Sequence, residues 1–200
     1  MANPWTGASF AGPPLQAAWA HRDARAGFEV AFFLPAAGGY SVEGETTAVE
    51  EGEAWAVAYA IELDDRWVTR RALIRGRSAA GEHELRLEAN GRGGWLVDGQ
   101  AAPMLDGCLD VDLESSALTN AFPVHRLGLG PGGQADAPAA YVRALDLGVG
   151  RLEQHYLRVA DEGGRQAYDY RAPSFDFECR LVYDEHGLVL DYPGIAVRAA

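Results

Sequence analysis

The sequence predicts a mainly β protein built from one long antiparallel sheet that curls on itself. Several segments alternate between hydrophobic and polar residues, which is typical of strands with one buried and one solvated face. Clusters of Gly, Asp, Asn and Pro separate these segments at intervals of about 8 to 12 residues. We therefore expect about a dozen strands, joined mostly in sequence order.

The clearest strands lie at residues 54–63, 84–88 and 174–184. In the first of these, one face carries Trp55, Val57, Tyr59, Ile61 and Leu63, and the other carries alanines and Glu62. In the third, the hydrophobic face carries Phe175, Phe177, Cys179, Leu181 and Tyr183. Turns are expected at residues 37–39, 64–65, 79–81, 90–94, 163–164 and 184–187.

One segment predicts a short helix. Residues 114–116 are acidic and hydroxyl residues of the N-cap type, and residues 117–122 show no alternation. Pro123 is expected to close or kink this helix. Residues 14–26 suit either a second, weaker helix or a leading strand, and the composition of residues 128–137 predicts a loop.

So many sequential strands avoid exposed edges most simply in a closed or rolled sheet, with the helix plugging or lining its interior. A two-sheet sandwich fits the same strands. The hydrophobic content of 48% and the length of 200 residues suit a single folded domain. We expect that domain to span residues 15–200, after a poorly ordered extension at residues 1–14.

The charge excludes several functions. The net charge is −12, and all 17 basic residues are arginines. Without lysine there is no phosphate loop ending in Gly-Lys and no Schiff-base lysine. The acidic balance argues against nucleic-acid partners and anionic membrane surfaces.

The N-terminal residues carry no signal-peptide pattern, since the first basic residue is Arg22 and no apolar run precedes it. No segment has the roughly 20 apolar residues that span a bilayer. We therefore expect a cytoplasmic protein, and we interpret Cys108 and Cys179 as buried reduced thiols.

No cofactor, metal site or catalytic residue is predicted. The glycines of residues 128–133 match a dinucleotide pattern, but Pro131 interrupts it and no helix follows. The histidines are scattered, and His125 is expected to form a polar pair with Arg126. Asp110 and Asp112 share one face of a strand about 6.5–7 Å apart. They could contact a ligand, pair with arginines, bind Mg²⁺ or Ca²⁺, or act as an acid/base pair.

Four stretches together resemble a bacterial family named "putative glycolipid-binding". They are residues 94–99 (GWLVDG), 105–113 (LDGCLDVDL), 116–127 (SALTNAFPVHRL) and 187–194 (GLVLDYPG). The resemblance implies a spiral β-roll, a long antiparallel sheet wrapped around a single α-helix, often dimeric and similar to lipoprotein-localisation factors. Asp110, Asp112, Thr119, Asn120 and Arg126 match the family's distinctive polar positions, and Trp95, Asp98, Tyr156, Tyr170, Tyr192 and Pro193 match its strand and turn signature. The family favours Ile-Arg where this chain has Val124-His125.

From the aromatic strands and this resemblance we predict a non-enzymatic module that holds an amphiphile or glycolipid between sheet and helix. The predicted ligand-binding residues are Trp95, Asp110, Asp112, Thr119, Asn120, Arg126 and Tyr156. The polar members of this set could equally brace the buried helix. Asp110 or Asp112 could then accept from its first N–H groups, Thr119 and Asn120 could satisfy sheet carbonyls, and Arg126 could pair with one of the acids. A hydrolase using Asp110 and Asp112, or a homodimeric scaffold for protein partners, remains an alternative.

Overall fold

Two β-sheets account for seventeen strands in residues 10–200, the part of the chain that the computed structural model describes. The strands are Gln16–His21 (β1), Ala26–Ala36 (β2), Gly39–Glu50 (β3), Glu53–Asp64 (β4), Thr69–Ser78 (β5), Gly81–Ala89 (β6), Trp95–Val97 (β7), Gln100–Ala101 (β8), Asp110–Leu113 (β9), Gln134–Asp136 (β10), Ala139–Val142 (β11), Val149–Leu152 (β12), His155–Arg158 (β13), Ala167–Ala172 (β14), Phe177–Tyr183 (β15), Val189–Tyr192 (β16) and Ala196–Arg198 (β17).

The long sheet contains fourteen strands in the order β10-β13-β14-β15-β16-β17-β1-β2-β3-β4-β5-β6-β7-β8. Every neighbouring pair is antiparallel, and β17 joins β1 through pairs such as Trp19 with Arg198. The sheet therefore runs as two meanders that meet where the first and last strands pair. It is not closed, since β10 and β8 remain its edges. The predicted long antiparallel sheet is confirmed.

A short second sheet has the order β12-β11-β9. Its strand β9 runs parallel to β11, with Asp110 opposite Ala139 and Leu113 opposite Val142. All four residues of β9 are buried, so both faces of this strand lie inside the protein. The alternation of Asp110 and Asp112 with Val111 and Leu113 predicts a strand here, but it suggests a solvated face and does not show that the strand pairs with β11.

The core lies on the concave side of the long sheet. Trp55, Val57, Tyr59, Ile61 and Leu63 of β4 are at most 4% exposed, as the alternation predicts. These side chains belong to one hydrophobic cluster that also contains the residues of the helix and of β9. The turns expected between strands are present, and the long sheet rolls around the segment that contains the helix.

The helix (α1) spans Ala121–Leu127 and follows a 3₁₀ turn at Leu118–Asn120. Pro123 lies inside its first turn, where its missing N–H costs nothing, so the expectation that Pro123 closes or kinks the helix is wrong. The helix ends at Gly128, whose φ of 54° gives a left-handed cap. Phe122 and Val124 are completely buried, which places the helix inside the roll.

Five local expectations resolve differently. Phe175, expected on the hydrophobic face of a strand at 174–184, lies in a 3₁₀ turn at Pro173–Phe175 before β15 and is 55% exposed. Residues 14–26 contain a strand, β1, and no helix, whereas part of the expected loop at 128–137 forms β10. Cys108 is buried, but Cys179 is only half-buried at the border of the core. His125 stacks on Trp67, with ring centroids 3.6 Å apart, and does not pair with Arg126. Burial lowers the pKa of this histidine to about 4.

Residues 1–9 lie outside the described part of the chain, so the expectation of a poorly ordered extension at 1–14 concerns mainly residues that the structure does not describe. Phe10 lies against the His125 ring at a centroid distance of 4.8 Å. The Ala11 amide donates a hydrogen bond to the Glu185 carbonyl. None of the helices within residues 10–200 is long and apolar enough to cross a membrane.

A buried carboxylate ties the helical segment to the sheet. Glu29 of β2 is fully buried and accepts hydrogen bonds from the Tyr59 hydroxyl at 2.7 Å, the Ser116 hydroxyl and the Ala117 amide at 2.8 Å. We expected Asp110 or Asp112 to accept from the N–H groups at the start of the helix, and Glu29 takes that role instead. Burial raises the pKa of the Glu29 carboxyl above its usual value, although these hydrogen bonds oppose the rise.

We predict that Glu29→Ala lowers the free energy of unfolding by at least about 3 kcal/mol, because it leaves several buried donors without an acceptor. Glu43→Ala, on the exposed face of the neighbouring strand β3, should change it by less than about 0.5 kcal/mol. Urea unfolding measures both values. Equal effects of the two substitutions would remove Glu29 from its anchoring role.

Glu29→Gln should retain the fold and alter its pH dependence. The raised pKa means that the native protein holds this proton to a higher pH than the unfolded chain. The contribution of Glu29 therefore declines as pH rises above about 4.5, the ordinary pKa of glutamate, and Gln cannot show this decline. Urea unfolding between pH 4 and 8 should show the variant gaining stability relative to the unmodified protein as pH rises.

Candidate functional site

A pocket of about 240 Å³ opens between the long sheet and the short sheet, next to the 3₁₀ turn that precedes α1. Strands β14, β15 and β16 form one side, and β9, β11 and β12 form the other. The lining residues are Arg25, Asp112, Leu113, Glu114, Ser116, Asn120, Tyr141, Leu152, Tyr170, Ala172, Phe175, Phe177, Tyr192 and Ile195. The pocket thus combines aromatic walls with a group of polar and charged side chains.

Aromatic rings from adjacent strands form the walls. Tyr170, Phe177 and Tyr192 meet edge to face in all three pairs, with centroid distances of 6.1–6.3 Å. Opposite them, Tyr141 and Phe175 pack at 5.4 Å. Phe175 is 55% exposed at the rim, whereas Tyr170 and Tyr192 are buried. Such rings provide flat apolar surfaces on which a sugar ring or an alkyl chain can lie.

Asp112 is the carboxylate at the polar end of the pocket. It accepts hydrogen bonds from the Thr119 hydroxyl at 2.7 Å and from the Gln154 amide at 2.6 Å. Burial raises its pKa to about 6, the hydrogen bonds from Thr119 and Gln154 oppose the rise, and the nearby charges of Asp110 and Glu114 add to it. At neutral pH this carboxylate is therefore mostly ionised and can accept a further hydrogen bond from a ligand.

Glu114 and Tyr141 lie together farther along the same wall. The Glu114 carboxylate accepts a hydrogen bond from the Ala144 amide at 2.8 Å. Burial raises the pKa of the Tyr141 hydroxyl far above its ordinary value, and the charges of Glu114 and Asp112 raise it further. Tyr141 therefore stays protonated and serves as a hydrogen-bonding phenol and as a ring surface.

Arg25 brings the positive charge of the lining. Its side chain is only 5% exposed, and its guanidinium lies 5.2 Å from the centre of the Trp55 ring. Nη1 donates to the Glu114 carbonyl at 3.2 Å, and Nε lies 3.7 Å from the Glu50 carboxylate. Nε is itself buried and makes no hydrogen bond within residues 10–200.

A second polar group lies behind the pocket and braces the helix. Asp110 accepts two hydrogen bonds from Arg126, at 3.0 and 2.5 Å, and is 1% exposed. The Tyr156 hydroxyl donates to the side-chain carbonyl of Asn120 at 3.0 Å. The expected pairing of Arg126 with an acid is therefore present. Thr119, which we expected to donate to sheet carbonyls, donates to Asp112 instead.

The seven predicted ligand-binding residues thus separate into three places. Asp112 and Asn120 line the pocket, whereas Asp110, Thr119, Arg126 and Tyr156 form the network behind it. Trp95 is remote from both groups. Its indole donates to the Cys108 carbonyl at 2.9 Å, and it lines a separate depression of about 500 Å³ beside β7 and β8.

Sequence reasoning missed Arg25, Gln154 and Glu29 in this region. Arg25 and Gln154 carry no motif, and only the folded chain brings them to Glu114 and Asp112. Glu29 left a signal, since it is the one charged residue in the apolar run 28–34 and shares the inward face of Phe33. A charge on the buried face of a strand indicates a partner elsewhere in the chain.

The described residues include no group of three or more His, Cys, Asp or Glu side chains arranged to hold a metal ion. The residues of the pocket can form hydrogen bonds and stack on a flat ring, and they carry more negative than positive charge.

A long antiparallel sheet rolled around one helix, with an aromatic and acidic pocket beside that helix, defines a β-roll domain with space for a small ligand group. The chain belongs to the family described as "Putative glycolipid-binding", whose profile matches residues 16–198. The resemblance noted in the sequence is confirmed.

Two solved structures share this architecture. A DUF1089 family protein from Pseudomonas aeruginosa, known from a crystal structure, is 32% identical, with a TM-score of 0.75 and full coverage of both chains. A β-barrel-like protein of the domain of unknown function DUF1849 from Brucella abortus is 11% identical, with a TM-score of 0.53 and coverage of 95% of this chain and 96% of that one. The second likeness concerns the fold alone. No curated protein matches the sequence.

We predict that Arg126→Gln lowers the free energy of unfolding by about 3–5 kcal/mol, because it leaves the buried Asp110 carboxylate without its cation. Arg71→Gln removes an exposed pair with Glu62 and should cost less than about 1 kcal/mol. Adding Asp110→Asn to Arg126→Gln should recover part of the loss. Denaturant unfolding tests this, and a double variant less stable than Arg126→Gln would contradict the pairing.

Proposed function

We propose that this protein is a non-enzymatic binding module for an amphiphile, whose polar headgroup enters the pocket between the two sheets beside the 3₁₀ turn. The observation that carries this proposal is the lining of the pocket. Aromatic rings on two sides suit the apolar faces of a sugar or the start of an alkyl chain, and Asp112, Asn120 and Arg25 suit hydroxyl groups. The family name supports the same ligand class.

The size of the pocket limits what it encloses. Pockets that enclose a drug-sized ligand measure about 300–1,000 Å³, and this pocket measures about 240 Å³. It suits one sugar ring or a short part of a chain. The remainder of an amphiphile would leave past Phe175, the exposed aromatic residue at the rim.

The two aspartates that suggested a hydrolase face different surroundings. Only Asp112 lines the pocket, whereas Asp110 is held by two hydrogen bonds from Arg126. A pair of carboxylates acting on one bond must both reach the substrate. This geometry favours binding over hydrolysis, with Asp110 as a brace for the helix.

Organic extraction of the purified protein, followed by mass spectrometry, should recover an amphiphile with a polar headgroup. Octyl glucoside below its micelle concentration serves as a defined probe in isothermal titration calorimetry. We predict that Phe175→Ala weakens its binding about tenfold, through loss of a stacking surface. Phe32→Ala, a matched exposed phenylalanine outside the pocket, should leave it unchanged. An empty extract together with no octyl glucoside binding would refute the proposal.

A homodimeric scaffold is the second candidate, because Phe28, Phe32 and Leu34 project from the outer face of β2 and are 42%, 47% and 46% exposed. Apolar stripes of this kind mark interaction surfaces. Light scattering should show a dimer that becomes a monomer after Phe28→Ser and Phe32→Ser. A monomer before substitution would refute this candidate.

A further inference from the structure

Two carboxylates of the pocket, Asp112 and Glu114, differ from the neighbouring Asp110 in having no arginine as an ion-pair partner within residues 10–200. Asp110 has Arg126, but the ion pairs within residues 10–200 include neither Asp112 nor Glu114. Asp112 is held by the neutral donors Thr119 and Gln154, and Glu114 by the Ala144 amide. Both acids belong to the lining of the pocket, so their negative charges lie close to the space that a ligand would occupy.

Arg25 does not cancel this negative charge. Its guanidinium is already engaged, since Nε lies 3.7 Å from the Glu50 carboxylate and Cζ lies 5.2 Å from the centre of the Trp55 ring. The charged residues of the lining are Asp112, Glu114 and Arg25, which leaves one net negative charge at the pocket. The Arg25 side chain, only 5% exposed, still contributes to the lining of the pocket.

The aromatic walls also favour a cation over an anion. Tyr141, Tyr170, Phe175, Phe177 and Tyr192 line the pocket, and the faces of such rings carry negative potential that attracts ammonium groups. A cation between aromatic rings and carboxylates gains from both, most strongly where water is excluded. An anion would be repelled by the two carboxylates and by the negative potential of the ring faces.

Resting on the proposed function, we propose that the headgroup in this pocket carries an amine together with hydroxyl groups, as an amino sugar does, and that Asp112 selects for the amine. The amine donates to the Asp112 carboxylate, and the ring hydroxyls lie near Asn120 and Arg25 of the lining. The pocket therefore discriminates by headgroup charge: cationic over neutral, and neutral over anionic.

Three octyl glycosides with the same chain and ring test this order: octyl glucosaminide with a free amine, octyl glucoside, and octyl glucuronide. Calorimetry at pH 7 should show the glucosaminide binding about tenfold more tightly than the glucoside, the gain of one charge-assisted hydrogen bond, and the glucuronide binding most weakly. Asp112→Asn, close in shape, should reduce the tenfold preference to less than about threefold.

Asp176→Asn is the matched control, since Asp176 lies between two lining phenylalanines but outside the lining, in a left-handed conformation that Asn accepts. It changes the net charge equally and should keep the tenfold preference. Equal binding of the glucosaminide and the glucoside to the unmodified protein, or a preference lost equally in both variants, would overturn the inference and leave the proposed function standing. Failure of all three glycosides to bind would refute both.

Discussion

Buried carboxylates hold residues 112–126 inside the sheet, and the rest of the structure depends on them. Glu29 accepts from Ser116 and Ala117 at the start of the helical segment, and Asp112 accepts from Thr119 one turn later. Asp110 closes the set through Arg126 near the end of the helix. A seven-residue helix has little stability of its own, so these bonds and its buried apolar side chains fix its position. Because Ser116 and Asn120 line the pocket, the same bonds also fix the shape of the site.

The whole chain and the pocket both carry an excess of acidic residues. Acids outnumber bases by 12, and every base is an arginine. Arginine suits Asp110, because its planar fork donates two parallel hydrogen bonds where a lysine donates from one point. The surplus of acid is also present inside the protein, at Asp112 and Glu114, where neutral donors replace cations. On an exposed surface, water would screen this negative charge. Between aromatic walls the charge is screened less, so it acts more strongly on a charged group nearby.

The sequence predicted those parts of the fold that a local pattern encodes. Strand β4 alternates because one face is buried, and the helix was detectable because residues 117–122 do not alternate. Strand β9 alternates, but its parallel pairing with β11 was not predicted, since alternation does not show which strands are neighbours. Strand β10 is too short for a period of two to be detected. The site could likewise be predicted only in part. The family motif contained Asp112 and Asn120, but Arg25 and Gln154 come near them only through contacts between residues distant in sequence.

The pairing of β1 with β17 sets the order in which this protein can be completed. Trp19 lies opposite Arg198, and the indole N–H of Trp19 donates to the Val189 carbonyl at 2.7 Å across 170 positions of sequence. A chain emerging from the ribosome can form the meander β2 to β6 early, but β1 must wait for its second neighbour until β17 has been synthesised. Contacts so distant in sequence slow folding, because the intervening loop must be closed before they form. The seam between the two meanders can therefore form only after both meanders have been synthesised, and until then the second edge of β1 has no strand to pair with.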